Sequence, residues 1–355
     1  MEPVYDLRSD TVTRPTKDMK RAMFEAPLGD DVLGDDPTVK RLEAMIAAIT
    51  GKERGLFFPS GTQANQTAIQ VHTSRGHEVL LERRSHIFNY EAGAPAALSG
   101  VQLHPVDTAD GALRPADLEG RVRPLNEHFA QTRLVCLENT HNGHGGRVYP
   151  IADMEALSRW ARERGLAVHL DGARLFNAVV ASGVAAQRWA ACADTVSICL
   201  SKGLGAPVGT CLVGSAEAIE RARWVRKRLG GGMRQAGILA AAGIHALEHH
   251  VDRLADDHDL AKEIAAGLSE LEGVEVDMGH VETNIVLLRV AMPGITAADL
   301  VRAAEERGVR SFDTSPSEIR LVTHLDVAPD AVREVPRRFQ EAMRSASRSA
   351  KGGRV

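Results

Sequence analysis

A lysine set among glycine and apolar residues is the first chemical oddity of this chain. In "SICLSKGLGAPVG", residues 197–209, Lys202 is the one charged side chain. Burial strips an ammonium of water and lowers its pKa, and a lysine that sheds its proton becomes a nucleophile toward carbonyl groups. Asp171 closes the apolar run of "VHLDGAR", at the kind of strand end where open α/β sheets build their sites. Taken singly, Asp171 reads first as an N-cap or turn carboxylate, and Lys202 as a surface lysine with its stem laid over apolar neighbours. Taken together they are an acid and an amine converging at the ends of two strands.

Two further stretches join them. In "FFPSGTQAN", Ser60, Gly61 and Thr62 lie in a turn that opens a helix. Such a turn is either a plain strand-to-helix connection or a phosphate cradle built from backbone N–H groups and the helix dipole. His86 in "ERRSHIFNYEAGA", near Tyr90 and Glu91, is a core or surface histidine, or a ring that stacks on a flat cofactor. An amine, a carboxylate, a phosphate turn and an aromatic face suit pyridoxal 5′-phosphate. The lysine then forms the Schiff base, and the aspartate keeps the pyridine nitrogen protonated so that the ring acts as an electron sink.

These residues need elements to hold them. "DPTVKRLEAMIAAITG" has apolar residues at helical spacing and ends at Gly51. "GLFFPSGTQANQTAIQVH" reads as strand, tight loop and helix. "EVLLE", "RLVCLEN", "AVHLDG", "ADTVSICLS" and "GTCLVGS" read as strands, with a helix "PIADMEALSRWARERG" between the third and its predecessor. Alternating strands and helices imply crossover connections and a mainly parallel sheet. Residues 235–270 read as long helix, followed by an α+β pattern in "GVEVD", "NIVLLRV", "TAADLVRAAEERG" and "IRLVTHLDV". The expected division is a large domain over 1–250 and a small C-terminal α+β domain over 251–355.

Bulk properties narrow the function. With 43 basic and 47 acidic residues, the net charge of −4 gives no general electrostatic case for nucleic acid or an anionic membrane. The start "MEPVYDLRSD" lacks the pattern of a signal peptide, and no apolar run reaches membrane-spanning length. Cys136, Cys192, Cys199 and Cys211 form no CxxC pair and read as buried thiols of a cytoplasmic protein. Arg344, Arg348, Lys351 and Arg354 read as a frayed, solvated terminus.

Across nearly its whole length the chain resembles the low-specificity L-threonine aldolases, fold-type-I pyridoxal-phosphate enzymes. The resemblance rests on "DLRSDTVTRPT", "GDDVLGDDPTV", "PSGTQANQ", "SHIFNYEAGA", "LENTHN", "HLDGARLFNA", "CLSKGLGAPVG", "LGGGMRQAG" and "IRLVTHLDV", in that order. It implies a seven-stranded, mainly parallel sheet in the large domain. It implies Lys202 as the Schiff-base lysine, Asp171 on the pyridine nitrogen, and Arg174 beside the ring oxygen and the substrate. Ser60, Gly61 and Thr62 would hold the phosphate, and His86 would stack over the ring. Ser9 and Arg320 would bind the substrate carboxylate, which agrees with the two-pronged donor geometry of arginine. His128 in "PLNEHFAQTR" would stand near the substrate hydroxyl. The implied reaction is cleavage of L-threonine or L-allo-threonine to glycine and acetaldehyde, with His86, His128 or a water taking the hydroxyl proton. A homotetramer with active sites at subunit contacts is implied as well.

Other readings stand beside this one. A phenylserine aldolase or another β-eliminating lyase would share the fold, and a non-catalytic cofactor-binding protein would not need the intact set of Lys202, Asp171, Arg174 and Arg320. His141 and His144 in "HNGHGG" read as a flexible loop at the edge of the site rather than a metal centre. "LGGGMRQAG" does not follow a strand, so it is no dinucleotide fingerprint. By resemblance it approaches the site, with Lys227 and Arg234 as possible contributors.

Overall fold

The computed structural model describes residues 3–352, with side chains through residue 348. Strands run in chain order β1 (Tyr5–Asp6), β2 (Arg54–Phe58), β3 (Glu78–Glu82), β4 (Gln102–Val106), β5 (Thr132–Glu138), β6 (Ala167–Asp171) and β7 (Thr195–Cys199). They continue as β8 (Thr210–Gly214), β9 (Val274–Glu275), β10 (Ile285–Val290), β11 (Val309–Arg310), β12 (Phe312–Ser315) and β13 (Glu318–Val322).

Seven strands form one sheet in the order β2-β8-β7-β6-β5-β3-β4. β8 is antiparallel to both neighbours, and every other pairing is parallel. The inner strands are apolar on both faces because helices cover both faces. Val135, Leu137, Val168, Leu170, Val196 and Ile198 are all buried there. The edge strand β4 did not stand out in the sequence, since its first residues are only partly covered and Pro105 interrupts its donors. Proline is tolerated on an edge, where one side of the ladder needs no N–H.

Local capping physics sets the helix ends. The helix Pro37–Thr50 starts at Asp36, whose carboxylate accepts from the Thr38 and Val39 N–H groups, and ends at Gly51 with φ 65°. The stretch 235–270 is different. It forms two helices, Gly237–His249 and Leu254–Ser269. At the break, His250 donates from Nδ1 to the Leu204 carbonyl at 2.7 Å. The interruption thus anchors the loop that carries Lys202.

A four-stranded antiparallel sheet, β12-β13-β10-β9, makes the second core together with three helices, Leu254–Ser269, Ala297–Glu305 and Ala331–Gly352. Val286, Leu288, Ile319 and Leu321 meet Ile264, Leu268, Leu300 and Phe339 in it. Tyr5 and Leu7 belong to this core too, and β1 pairs with β11. The first residues, expected with the large domain, therefore pack on the C-terminal half. Arg344 and Arg348 sit exposed on the last helix rather than in a frayed tail, while the Lys351 side chain and Arg354 lie outside the described residues. All four cysteines are buried and unpaired. Among the described residues no helix is long and apolar enough to cross a membrane.

Candidate active site

The carboxyl ends of β2, β6 and β7 open on a cavity of about 310 Å³. Ser60, Gly61, Thr62, His86, Asp171, Arg174 and Lys202 all line it. A second space of about 390 Å³ shares Thr11, His86, Asn142, Arg174 and Lys202, and adds Ser9, Tyr90 and Arg320. Nine of the ten site residues singled out in the sequence thus meet, although they span positions 9–320.

Lys202 stands in the loop from β7 to β8. That loop is closed by Leu200 N–H to the Gly209 carbonyl at 2.9 Å and by Gly205 N–H to the Lys202 carbonyl at 2.8 Å. Gly205 takes φ 78°, a conformation open to glycine at no steric cost. Asp171, the last residue of β6, is 3% exposed. Its Oδ1 accepts from Ala173 N–H at 3.1 Å and its Oδ2 from Asn65 Nδ2 at 2.7 Å. Burial works against ionisation, but His86, Lys202 and His169 outweigh it, and the carboxyl is held below its ordinary range. Asp171 is therefore an anion at neutral pH.

Asn65 orients this carboxylate. It sits one helical turn after Gly61 on the helix Gly61–His72, hence on the same face. Its Oδ1 accepts from Ser197 Oγ at 2.7 Å and faces His169 Nε2 at 3.1 Å, which leaves Nδ2 to donate to both Asp171 and Glu91. Glu91 in turn bonds His86 Nδ1 at 3.0 Å and accepts from Gln66 Nε2 at 2.6 Å. Burial tends to lower the His86 pKa, yet the bond to Glu91 and the charges of Asp171 and Glu138 leave it raised.

At the turn, Ser60 caps the helix by accepting from Gln63 N–H at 3.2 Å. First-turn N–H groups have no carbonyl within their own helix, so they are available to an anion. Gly61 is required by space. A Cβ there would lie 2.9 Å from Cys199 Sγ.

The guanidiniums sit at the other end. Arg174 makes a two-pronged pair with Asp10, Nε to Oδ2 and Nη2 to Oδ1, each 2.7 Å and buried. Burial would raise the Asp10 carboxyl, but Arg174 holds it far below the usual carboxylate range. Arg320, from the middle of β13, donates from Nη1 to Asn142 Oδ1 at 2.9 Å, and Arg174 Nη1 reaches the same oxygen at 3.2 Å. Arg320 Nε is buried without a hydrogen-bond partner, a donor left over for a ligand. Ser9 caps the short turn Asp10–Val12 and faces the same space.

His128 does not join them. It lies in the exposed loop before β5 and borders neither cavity. Its segment carries no hydrophobic periodicity to fold it inward, so this chain by itself does not bring His128 to the other site residues. Arg234 pairs instead with Asp30 at 2.9 Å, and neither it nor Lys227 lines either space. Sequence reading also passed over Asp10, Asn65, Glu138 and Asn142 as site residues. Only helical spacing from Gly61 could have pointed to Asn65.

Comparison with known proteins agrees with this geometry. Residues 6–292 match the family described as beta-eliminating lyase. The chain is 47% identical to the low specificity L-threonine aldolase of Escherichia coli K12, covering 94% of this chain and 97% of that one. It is 45% identical to a probable low-specificity L-threonine aldolase 2 of Arabidopsis thaliana, covering 96% and 97%. The solved structure of Leishmania major threonine aldolase has the same fold, with TM-score 0.82 at 21% identity over 96% of this chain and 99% of that one. The chain belongs to the beta-eliminating lyase family and, within it, to the low-specificity L-threonine aldolases.

Proposed function

We propose that this chain binds pyridoxal 5′-phosphate and cleaves L-threonine and L-allo-threonine to glycine and acetaldehyde. The observation that carries the reading is Lys202 sharing one cavity with the ionised Asp171 and the glycine turn at Ser60–Thr62. The donor set fits the cofactor. Lys202 would be the amine that tethers its aldehyde carbon, Asp171 would hold a proton on its ring nitrogen, and the first-turn N–H groups would take its phosphate. Arg174 would stand by its phenolic oxygen, and His86 would cover its ring. When bound, the cofactor supplies an electron sink for the pair released as Cα–Cβ breaks.

The chain's own residues do the rest. Ser9 and Arg320 would take the substrate carboxylate, and holding it would fix which bond to Cα is placed to break. His86, with Nδ1 engaged by Glu91, offers Nε2 to the proton of the β-hydroxyl, directly or through a water. The aldehyde departs, and Cα regains a proton to give glycine. Binding only through the carboxylate and amine leaves the β-carbon weakly constrained, which supports acceptance of both L-epimers.

The same reading includes a cytoplasmic homotetramer in amino-acid metabolism, with threonine consumed and glycine formed. Exposed apolar side chains support the assembly. Phe24 is 90% exposed, Leu125 85%, and Leu33 and Trp224 71% each, large apolar side chains available to a subunit contact. Product analysis tests the reaction. L-threonine and L-allo-threonine should each give equal amounts of glycine and acetaldehyde, and D-threonine none. Ammonia with a keto acid would instead mark a β-eliminating lyase. Borohydride reduction and peptide mapping should place the cofactor label on Lys202.

A further inference from the structure

We propose that Glu82, His141 and His144 form a binding site for one divalent transition-metal ion of the zinc class, behind the wall of the active-site cavity. Glu82 ends β3, and the two histidines lie in the turn that follows the adjacent strand β5. His141 Nε2 lies 3.0 Å from Glu82 Oε2, and His144 Nε2 lies 3.4 Å from Glu82 Oε1. One donor atom from each of the three falls within 4.8 Å of the others. Donors of one tetrahedral ion at about 2.0–2.2 Å stand roughly 3.5 Å apart, so small side-chain rotations that draw the three together would let a single ion bind all of them. The site is built rather than incidental. The imidazoles meet edge to face at 4.8 Å, and a Cβ on Gly111 would come within 2.9 Å of both rings.

A second observation points to a ligand. His141 is 2% exposed, yet neither of its ring nitrogens has a hydrogen-bond partner. The 3.0 Å approach of Nε2 to Glu82 is out of line for a hydrogen bond. A buried unpaired nitrogen costs about 1–3 kcal/mol, and a metal ion bound to its lone pair removes that cost. Glu82 supplies the negative charge.

The donor types choose the metal. Two imidazole nitrogens and one carboxylate oxygen suit Zn²⁺ and its neighbours, whereas Mg²⁺ and Ca²⁺ favour all-oxygen shells. His144 also borders a cavity of about 540 Å³ lined by Arg84, Thr108, Arg147 and Glu318. Water from that side completes the fourth position. The ion would clamp the turn 141–144, whose Asn142 lies between the two ligands and accepts from both Arg174 and Arg320. It would act as a positioning element for the guanidinium pair, with no part in the bond-breaking step.

The test uses the full-length, untagged holoenzyme, dialysed against chelator and titrated with Zn²⁺ alone by calorimetry. Co²⁺ substitution, read from its d–d absorption, reports the coordination geometry. One saturable site per chain is expected, with tetrahedral Co²⁺ bands. His144→Ala should lose more affinity than the roughly 10- to 100-fold typical of removing an outer-shell partner. Glu82→Gln provides a second removal. His280→Ala, on the same cavity but outside the donor set, should bind as the parent does. The cofactor's visible band, unchanged in His144→Ala, shows that variant is folded. No saturable Zn²⁺ binding by the parent, or equal binding by His144→Ala, would overturn the proposal.

Discussion

A single amide, Asn65 Nδ2, donates to Asp171 Oδ2 at 2.7 Å and to Glu91 Oε1 at 2.9 Å. One side chain therefore orients both the carboxylate assigned to the ring nitrogen and the partner of His86. Asn65→Leu removes the donor while filling similar space. A hydrogen bond to a charged group is worth about 1.5–3 kcal/mol. We expect cofactor affinity to fall by roughly 10- to 150-fold, read by fluorescence titration of the apoenzyme. Unchanged affinity would mean that Asp171 holds its place and charge without Asn65.

Asp10 and Arg174 form a buried pair whose loss should show in stability. Asp10→Asn leaves the Arg174 charge without its counterion, which costs about 3–5 kcal/mol. The sign of the pH dependence follows from the depressed carboxyl of Asp10. The pair's contribution is fully present above the unfolded carboxyl value and is lost as pH falls toward the folded one. The gap in denaturation midpoint between parent and variant should accordingly be wide at neutral pH and narrow progressively below about pH 4. A gap independent of pH would point to lost packing rather than a lost charge pair.

Glu91 is expected to set the acid limb of the rate profile. Its bond to Nδ1 opposes the lowering of the His86 pKa by burial, and the net shift is upward. Glu91→Gln takes that support away, so the His86 pKa drops. The acid limb of kcat/KM should move to lower pH, and the plateau rate should fall because the imidazole is a weaker base. A pH–rate profile of the variant checks both, and an unmoved limb would assign it to another group.

Arg320→Ala should retain the cofactor's visible band, since its guanidinium faces the space beyond Lys202 with Ser9 and Tyr90. Loss of a charge-assisted carboxylate contact costs about 1.5–3 kcal/mol, or roughly 10- to 150-fold in kcat/KM. KM should rise and kcat should fall, because the carboxylate also orients the bond to be broken. Steady-state kinetics with L-threonine decide it. Arg320→Lys should recover only part, as an ammonium cannot present two parallel donors. Unchanged kinetics in Arg320→Ala would move the clamp to Arg174.

The local features of this chain were legible without coordinates because they obey short-range rules. The Asp36-Pro37 start and Gly51 stop of one helix, the apolar runs of β5 to β7, and the glycine turn after Ser60 each follow from a few neighbouring residues. Lys202 and Asp171 stood out because charge at the end of an apolar run is costly without a purpose. The edge strand β4 was harder, since a half-covered strand with a proline lacks a clean alternation. The break at His250 was invisible too, because the reason for it is a carbonyl 46 residues away.

What the sequence determined by itself was the set of elements, the lysine and aspartate, and the phosphate turn, all carried by spacing along the chain. Tertiary structure alone decided which polar residues close around them. Asp10 reaches Arg174 across 164 residues, Asn65 reaches Asp171 across 106, and Asn142 reaches Arg320 across 178. Ser9 and Asp10 arrive only because Tyr5 and Leu7 are buried in the C-terminal core, while His128 stays on an exposed loop. Such partnerships depend on strand order and on the packing of two cores against one cleft. Neither is written in local periodicity, because a hydrogen bond between distant residues imposes no pattern on the residues beside them.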